Sequence, residues 1–237
     1  MSICQDESAV QCAYDEVADT YADHFRATEP ELPIELAMIE HFSSLLPDPR
    51  RVLDAGCGAG RMMPLLDALG CRVDGMDLSP GMVRRAQADH GQFHSQVGSL
   101  TALPFPDHAF DGVFSWYSTI HNPDDDLARI LREAHRVLRP GGALLLAFQC
   151  GEGISDVSEG YRRRGHDITL HRYNRTAEQM SVRLTHTGFD ETARLVRRAA
   201  AHERSDQAVL IATSTTNDIS RHGRIDPSVL SAPASRR

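Results

Sequence analysis

Glycines recur at 56, 58 and 60 in the stretch VLDAGCGAGR, and Asp54 stands just ahead of them. Glycine permits a tight turn and lets bare backbone approach a ligand closely. A second aspartate, Asp77, closes VDGMD about 20 residues on, where a carboxylate can accept from both hydroxyls of a ribose. Asp54 argues against phosphate: a carboxylate at the mouth of the loop repels pyrophosphate and attracts an ammonium. Position 61 is Arg, so G-x-G-x-x-G is not completed. These residues suit a nucleoside with a cationic tail better than a dinucleotide.

Such a loop needs a strand before it and a helix after it, and the sequence supplies both. RVLDAG reads as a short buried strand and RMMPLLDALG as the helix that follows, ending at Gly70. The alternation continues with a strand in CRVDGMDLS and a helix in SPGMVRRAQADHG, with Ser79 as N-cap and Pro80 in the first position. QFHSQVGS is a weak strand and FDGVFSWYS a stronger one. DDDLARILREAHRVLRPGG is a helix closed by Pro140 and Gly141, and ALLLAFQ is a buried strand. The run Asp124 to Asp126 fits capping of that helix. Strands alternating with helices predict a doubly wound, mostly parallel α/β sheet. Ligands in such sheets bind beyond the carboxyl ends of the strands, where the strand order reverses.

Ahead of the alternation, Val10, Tyr14, Val17, Tyr21 and Phe25 have helical spacing, and a second helix fits 33–46. After it, a helix fits 176–189, and DETARLVRRAAA and SDQAVLIATS read as a closing pair of strands. The expected organisation is a helical cap over 1–48, a ligand-binding core over 49–150 and a lid over 151–175. The rest of the core sheet takes 176–213, and a polar tail, expected to be disordered, takes 214–237.

The 237 residues carry a formal net charge of −8, which counts against nucleic acid as a partner. No apolar run approaches the roughly 20 residues of a membrane span, and the polar start is no signal peptide, so a cytoplasmic protein is expected. Every basic residue other than histidine is Arg, which reads as coding bias. The five cysteines form no C-x-x-C, and no Cys/His cluster suggests a metal site.

VLDAGCGAGR, GMDLSPGMV, LPFPDHAFDGVFS and REAHRVLRPGGALLLAF together resemble the class I S-adenosylmethionine-dependent methyltransferases. The likeness runs over roughly 10–213 and points to the small-molecule branch that includes quinone-biosynthesis enzymes. It implies a Rossmann-like seven-stranded sheet and S-adenosylmethionine as cofactor. It also implies roles. Asp54, Ala55, Gly56 and Gly58 would hold the methionine part, and Asp77 the ribose. Leu78 and Met82 would pack on adenine, and Gly98, Ser99 and Leu100 would cap its edge. Ser99 stands where the family often has an aspartate. The backbone of Ser115 and Trp116 would meet the methionine amine. Tyr14 would fold over the cofactor, and Tyr21 would reach toward the substrate.

A sulfonium methyl is already a good electrophile, so the transfer needs alignment, a dry pocket and a competent nucleophile, but no metal. His121, in SWYSTIHN past the fourth strand, is the candidate base, and Tyr117 a candidate substrate contact. In HDITLHRY, His171 and Tyr173 are expected to face the pocket, with Arg172 on the other side. An arginine of the lid could hold a substrate carboxylate or phosphate. The expected reaction is methyl transfer to an O, N or C nucleophile of a small molecule, by a monomer or homodimer. Ring C-methylation of a quinone or lipid-like substrate, and a non-catalytic cofactor-binding partner, are the alternatives.

Overall fold

The alternation resolves into a seven-stranded sheet in the computed structural model, which describes residues 6–28, 31–201 and 203–215. The strands are β1 (Arg51–Ala55), β2 (Arg72–Asp77), β3 (His94–Val97), β4 (Phe110–Trp116), β5 (Leu138–Gln149), β8 (Phe189–Arg197) and β9 (Gln207–Ser214). Their order is β3-β2-β1-β4-β5-β9-β8. The first five run parallel, and β9 is antiparallel to both β5 and β8. The chain winds outward from β1 to β3 and then returns to place β4 on the other side of β1. The order therefore reverses between β1 and β4, and the crevice for a ligand opens there.

Both faces of the central strands β1, β4, β5 and β9 are buried, which is why these strands carry apolar runs. Neighbouring residues face opposite ways: Leu53, Val113 and Leu144 join one core cluster, Val52, Phe114 and Leu145 the other. The first cluster is covered by α5 (Asp124–Val137) through Leu127, Leu131 and Ala134, and by α7 (Ala177–His186) through Met180 and Leu184. The second is covered by α2 (Pro33–Leu45) through Ile39 and Phe42, and by α3 (Met63–Ala68) through Leu66.

The helix α1 (Glu7–His24) lies against α4 (Pro80–Asp89) at the crevice end of the sheet. Ser79 caps α4 by accepting from Met82 N at 3.0 Å. The α1 residue Asp15 accepts from Ser79 Oγ at 2.5 Å and from Gly81 N at 2.8 Å. Arg85 adds pairs to Asp19 and Asp23, both at 3.1 Å. A carboxylate at a helix N-terminus suits both the orphan N–H groups and the dipole.

Four expectations change. Pro140 and Gly141 do not close α5, which gives way to β5 at Leu138; they sit in a bulge between the Phe110↔Leu138 and Gly112↔Ala143 pairs. Asp124 to Asp126 fill the first turn of α5 without capping it: Pro123 is the N-cap, and Asp124 receives Arg175 and Arg183. Of HDITLHRY only β7 (His171–Tyr173) is strand; it pairs with β6 (Ile154–Asp156), and the short helix α6 (Glu159–Arg162) lies between them. Ser214 ends β9, and Thr215 N bonds Gly188 O at 2.8 Å, so these two residues belong to the sheet and not to a tail. Residues 216–237 of the expected tail lie outside the described residues.

Candidate functional site

The crevice is built from the ends of β1, β2 and β4. Gly56 follows β1 at φ +84°, and a Cβ there would come 2.2 Å from Ser118 Cβ, so a side chain is excluded. Ser118 crosses the crevice and donates to Ala55 O at 2.6 Å. Gly58, at φ +55°, donates its N–H to Asp77 Oδ2 at 2.8 Å, tying the glycine turn to the end of β2. Ser79 N donates to the other Asp77 oxygen at 2.9 Å. Burial raises the Asp77 pKa while these N–H donors hold it back. Each Asp77 oxygen keeps a lone pair for a ligand hydroxyl.

A narrow slot of ≈ 90 Å³ runs past Asp77 between Leu78, Met82 and Leu100 and is roofed by α1 through Glu7, Val10, Tyr14 and Tyr21. It adjoins a chamber of ≈ 480 Å³ whose walls include Asp54, Arg61, Gln149, Arg172, Arg197 and Gln207. Tyr14, Tyr21, Gly56, Gly58, Trp116, Tyr117 and His121 border both spaces. Tyr117 has φ 58°, a strained value for a non-glycine residue, at the bend where β4 leaves the sheet.

Asp54 is buried, and its Oδ2 has no hydrogen-bond partner among the described residues. Burial first, then the nearby Asp77 charge, pushes its pKa up to about 7. A buried orphan acceptor with so raised a pKa is matched by a cation or donor in the chamber.

His121 is also buried, and both ring nitrogens are engaged. Nδ1 lies 2.6 Å from His171 O and Nε2 2.9 Å from Tyr14 Oη. The carbonyl can only accept, so Nδ1 carries the proton and Tyr14 donates to Nε2. Burial depresses the His121 pKa to about 4. His121 is thus a neutral pivot joining α1, the loop after β4 and β7.

Comparison with known proteins places this geometry in a family. A family model described as a methyltransferase domain matches residues 52–142, from β1 into β5. A malonyl-[acyl-carrier protein] O-methyltransferase of Pseudescherichia vulneris is 30% identical over 171 residues, 72% of this chain and 64% of that protein. A solved SAM-dependent methyltransferase of Methanosarcina mazei shares the fold with TM-score 0.63 at 21% identity, over 78% of this chain and 98% of that one. Residues 52–142 form a methyltransferase domain, and the chain has the fold of the SAM-dependent methyltransferases.

The O-methyltransferase resE of Aspergillus sclerotiorum is 30% identical over 147 residues, 59% of this chain and 54% of that protein. The chain thus spans less than two thirds of the length of these two relatives. The [4+2]-cyclase SpnF has the same fold, with TM-score 0.69 and 17% identity over 90% of this chain and 98% of that one.

Within the methyltransferase domain, the residues expected to touch cofactor divide into three groups. Tyr14, Gly56, Gly58, Asp77, Leu78, Met82, Leu100 and Trp116 line the slot, and Asp54 the chamber. Ala55, Gly98, Ser99 and Ser115 do not line either space. Ser115 Oγ bonds Ser118 Oγ at 2.7 Å, and Gly98 is bare because a Cβ would come 2.6 Å from Met76 Sδ. Ser99 bonds Glu7 at 2.6 Å.

The facing expected for β7 is reversed. Arg172 lines the chamber, and strand alternation turns the side chains of His171 and Tyr173 away from it. His171 instead contributes its carbonyl to His121, and Arg175 lies over the Tyr173 ring at 5.9 Å.

Glu7, Ser118 and the buried Glu31–Arg61 pair were not foreseen from the sequence. Glu7 precedes Val10 and Tyr14 by three and seven residues, so extending the helical stripe one turn back would have found it. Nothing in the sequence marks Ser118 or pairs Glu31 with Arg61.

Proposed function

We propose that this domain moves the methyl group of S-adenosylmethionine to a nucleophile of a small organic molecule held in the chamber, with oxygen the best-supported acceptor atom. The observation that carries the reading is the buried Asp54 Oδ2 in the chamber wall, without a hydrogen-bond partner among the described residues, two residues before Gly56, which borders both spaces. It is the group an aminoacyl ammonium would satisfy. When bound, the cofactor supplies an electrophilic methyl on a cationic sulfur. Asp77 would accept from the ribose hydroxyls, and Leu78, Met82 and Leu100 would sandwich the base. The roof of α1, with Tyr14 and Tyr21, excludes water from the reacting atoms, and the shared wall of slot and chamber aligns them.

His121 does little as an open base. Its acceptor nitrogen already takes the Tyr14 hydroxyl, and charging the ring costs about 3 kcal/mol more than in water. An acceptor already ionised near neutral pH needs no such base. Two relatives being named O-methyltransferases supports oxygen further. Ring C-methylation of a quinone would favour an apolar chamber, whereas this wall carries Arg172, Arg197, Glu35, Glu203 and Gln207. The formal charge of −8 disfavours nucleic acid. Among the described residues no helix is long and apolar enough to cross a membrane.

The test is to incubate the protein with S-adenosylmethionine and a small-metabolite extract. The expected outcome is formation of S-adenosylhomocysteine together with a metabolite one methylene heavier. Normal cofactor binding with no turnover on any fraction would favour the non-catalytic alternative.

A further inference from the structure

The chamber holds several cationic side chains, and their counter-charges differ. Arg61 bonds both oxygens of Glu31, at 2.7 and 2.9 Å. Arg197 bonds Glu35 at 2.9 Å and Glu203 at 2.5 Å. Arg204 faces Glu159 at 3.6 Å. Arg172 has no acidic partner among the described residues. Its Nε donates to Asn174 Oδ1 at 2.8 Å and its Nη2 to Ser205 Oγ at 2.8 Å, both neutral acceptors. Among the described chamber arginines it is the one with no carboxylate opposite.

Two fixed donor contacts orient the guanidinium plane, and its remaining N–H groups are left for a ligand. A half-buried cation held in this way costs free energy until an anion arrives. Burial lowers its pKa, and its charge is felt at His121, where it helps to lower the pKa. Arg172 is therefore within electrostatic reach of the junction where methyl transfer would occur. The strand β7 is held there by His171 O on His121 Nδ1 and by Tyr173 N on Ile120 O at 2.8 Å.

We propose that Arg172 is the anchor for a carboxylate on the methyl acceptor. The inference rests on the methyl-transfer reading above and adds the substrate class. A single unneutralised guanidinium matches a monoanion, and its fork accepts a carboxylate in two parallel hydrogen bonds. A phosphate dianion would need a second cation, and the neighbouring arginines are already bonded to Glu31, Glu35 and Glu203.

Trp116 is the only tryptophan in the chain and borders the chamber, so its fluorescence reports occupancy. The protein is first saturated with S-adenosylhomocysteine, then titrated with monoethyl malonate or with diethyl malonate, a pair differing in one carboxylate. Inorganic phosphate is titrated in parallel. The expected result is binding of the monoester about tenfold or more tighter than the diester, and weaker binding of phosphate. Arg172→Gln should erase the preference without changing affinity for S-adenosylhomocysteine. Arg172→Lys, which keeps the charge but not the fork, should retain part of it. Equal binding of the two malonates, failure of both to bind, preference for phosphate, or full preference in Arg172→Gln would overturn the anchor. Failure of S-adenosylhomocysteine itself to bind would overturn the cofactor reading, and the anchor with it.

Discussion

The Glu7 carboxylate on α1 accepts the Ser99 hydroxyl at 2.6 Å, across 92 positions of sequence. It also takes the Thr101 hydroxyl at 3.3 Å and forms part of the slot wall. An acid thus stands beside Ser99, the position at which the resemblance led one to expect an aspartate. The charge comes from the roof and not from the loop. Glu7→Ala should weaken S-adenosylhomocysteine binding roughly tenfold, the usual scale for a hydrogen bond to a charged group. The loss should be much smaller for the inosine analogue, which lacks the exocyclic amine. Calorimetric titration of both ligands into both proteins checks this.

Asp54 gives a second expectation. A carboxyl whose pKa sits at about 7 is about half protonated at that pH, and an ammonium beside it would drive the proton off. Binding of S-adenosylhomocysteine at pH 7 should therefore release a fraction of a proton. Calorimetry in buffers of different ionisation enthalpy measures it, and Asp54→Asn should abolish it. The sign for the ligand-free protein is the reverse of an ordinary salt-bridged acid. The folded pKa lies above the unfolded value, so this group's contribution to stability falls as pH rises from about 4 to 7. Asp54→Asn should consequently stabilise the free protein at pH 8, by up to about 4 kcal/mol, while weakening binding.

His121 acts in the opposite sense. Its folded pKa of about 4 lies below the ordinary 6.5, so the unfolded chain takes up a proton that the folded one refuses. This contribution is complete above pH 6.5 and is lost as pH falls from there toward 4, for a total of about 3 kcal/mol. Denaturant unfolding of wild type and His121→Asn at pH 7.5 and 5 isolates it. The variant should lose less stability between the two pH values than the wild type.

The Arg61–Glu31 pair is almost wholly buried, with side-chain exposures of 12% and 4%. Glu31 also accepts from Trp116 Nε1 at 3.0 Å, so it fixes an aromatic wall of the site. Glu31→Ala leaves a buried guanidinium unpaired and should cost about 3–5 kcal/mol of stability, seen as a lowered chemical-denaturation midpoint.

The centre of the sheet was readable from the sequence because both its faces are buried there: Val52 with Leu53, and Leu144 with Leu145, give apolar runs that glycine and proline punctuate. The glycine turn and Asp77 were readable because backbone freedom and charge there admit few alternatives. The facing of β7 was not, because three residues of His, Arg and Tyr carry no apolar phase to set which side turns inward. Helix α6 and strand β6 are short and polar and escaped for the same reason. The roles of Glu7 and Ser118 come from contacts made across the fold, and residue type alone does not reveal them. The expectation of a base at His121 rested on residue type, and the two partners that occupy its nitrogens come from α1 and β7, far away in sequence.

We infer that the crevice between β1 and β4 holds an S-adenosyl nucleoside by its ribose through Asp77. Calorimetric titration of S-adenosylhomocysteine into wild type and Asp77→Ala, with circular dichroism to establish that both are folded, tests it most directly. The account predicts saturable binding by the wild type and a loss of tenfold or more in the variant, since two charge-assisted hydrogen bonds disappear. Undiminished affinity in a folded Asp77→Ala protein would contradict it.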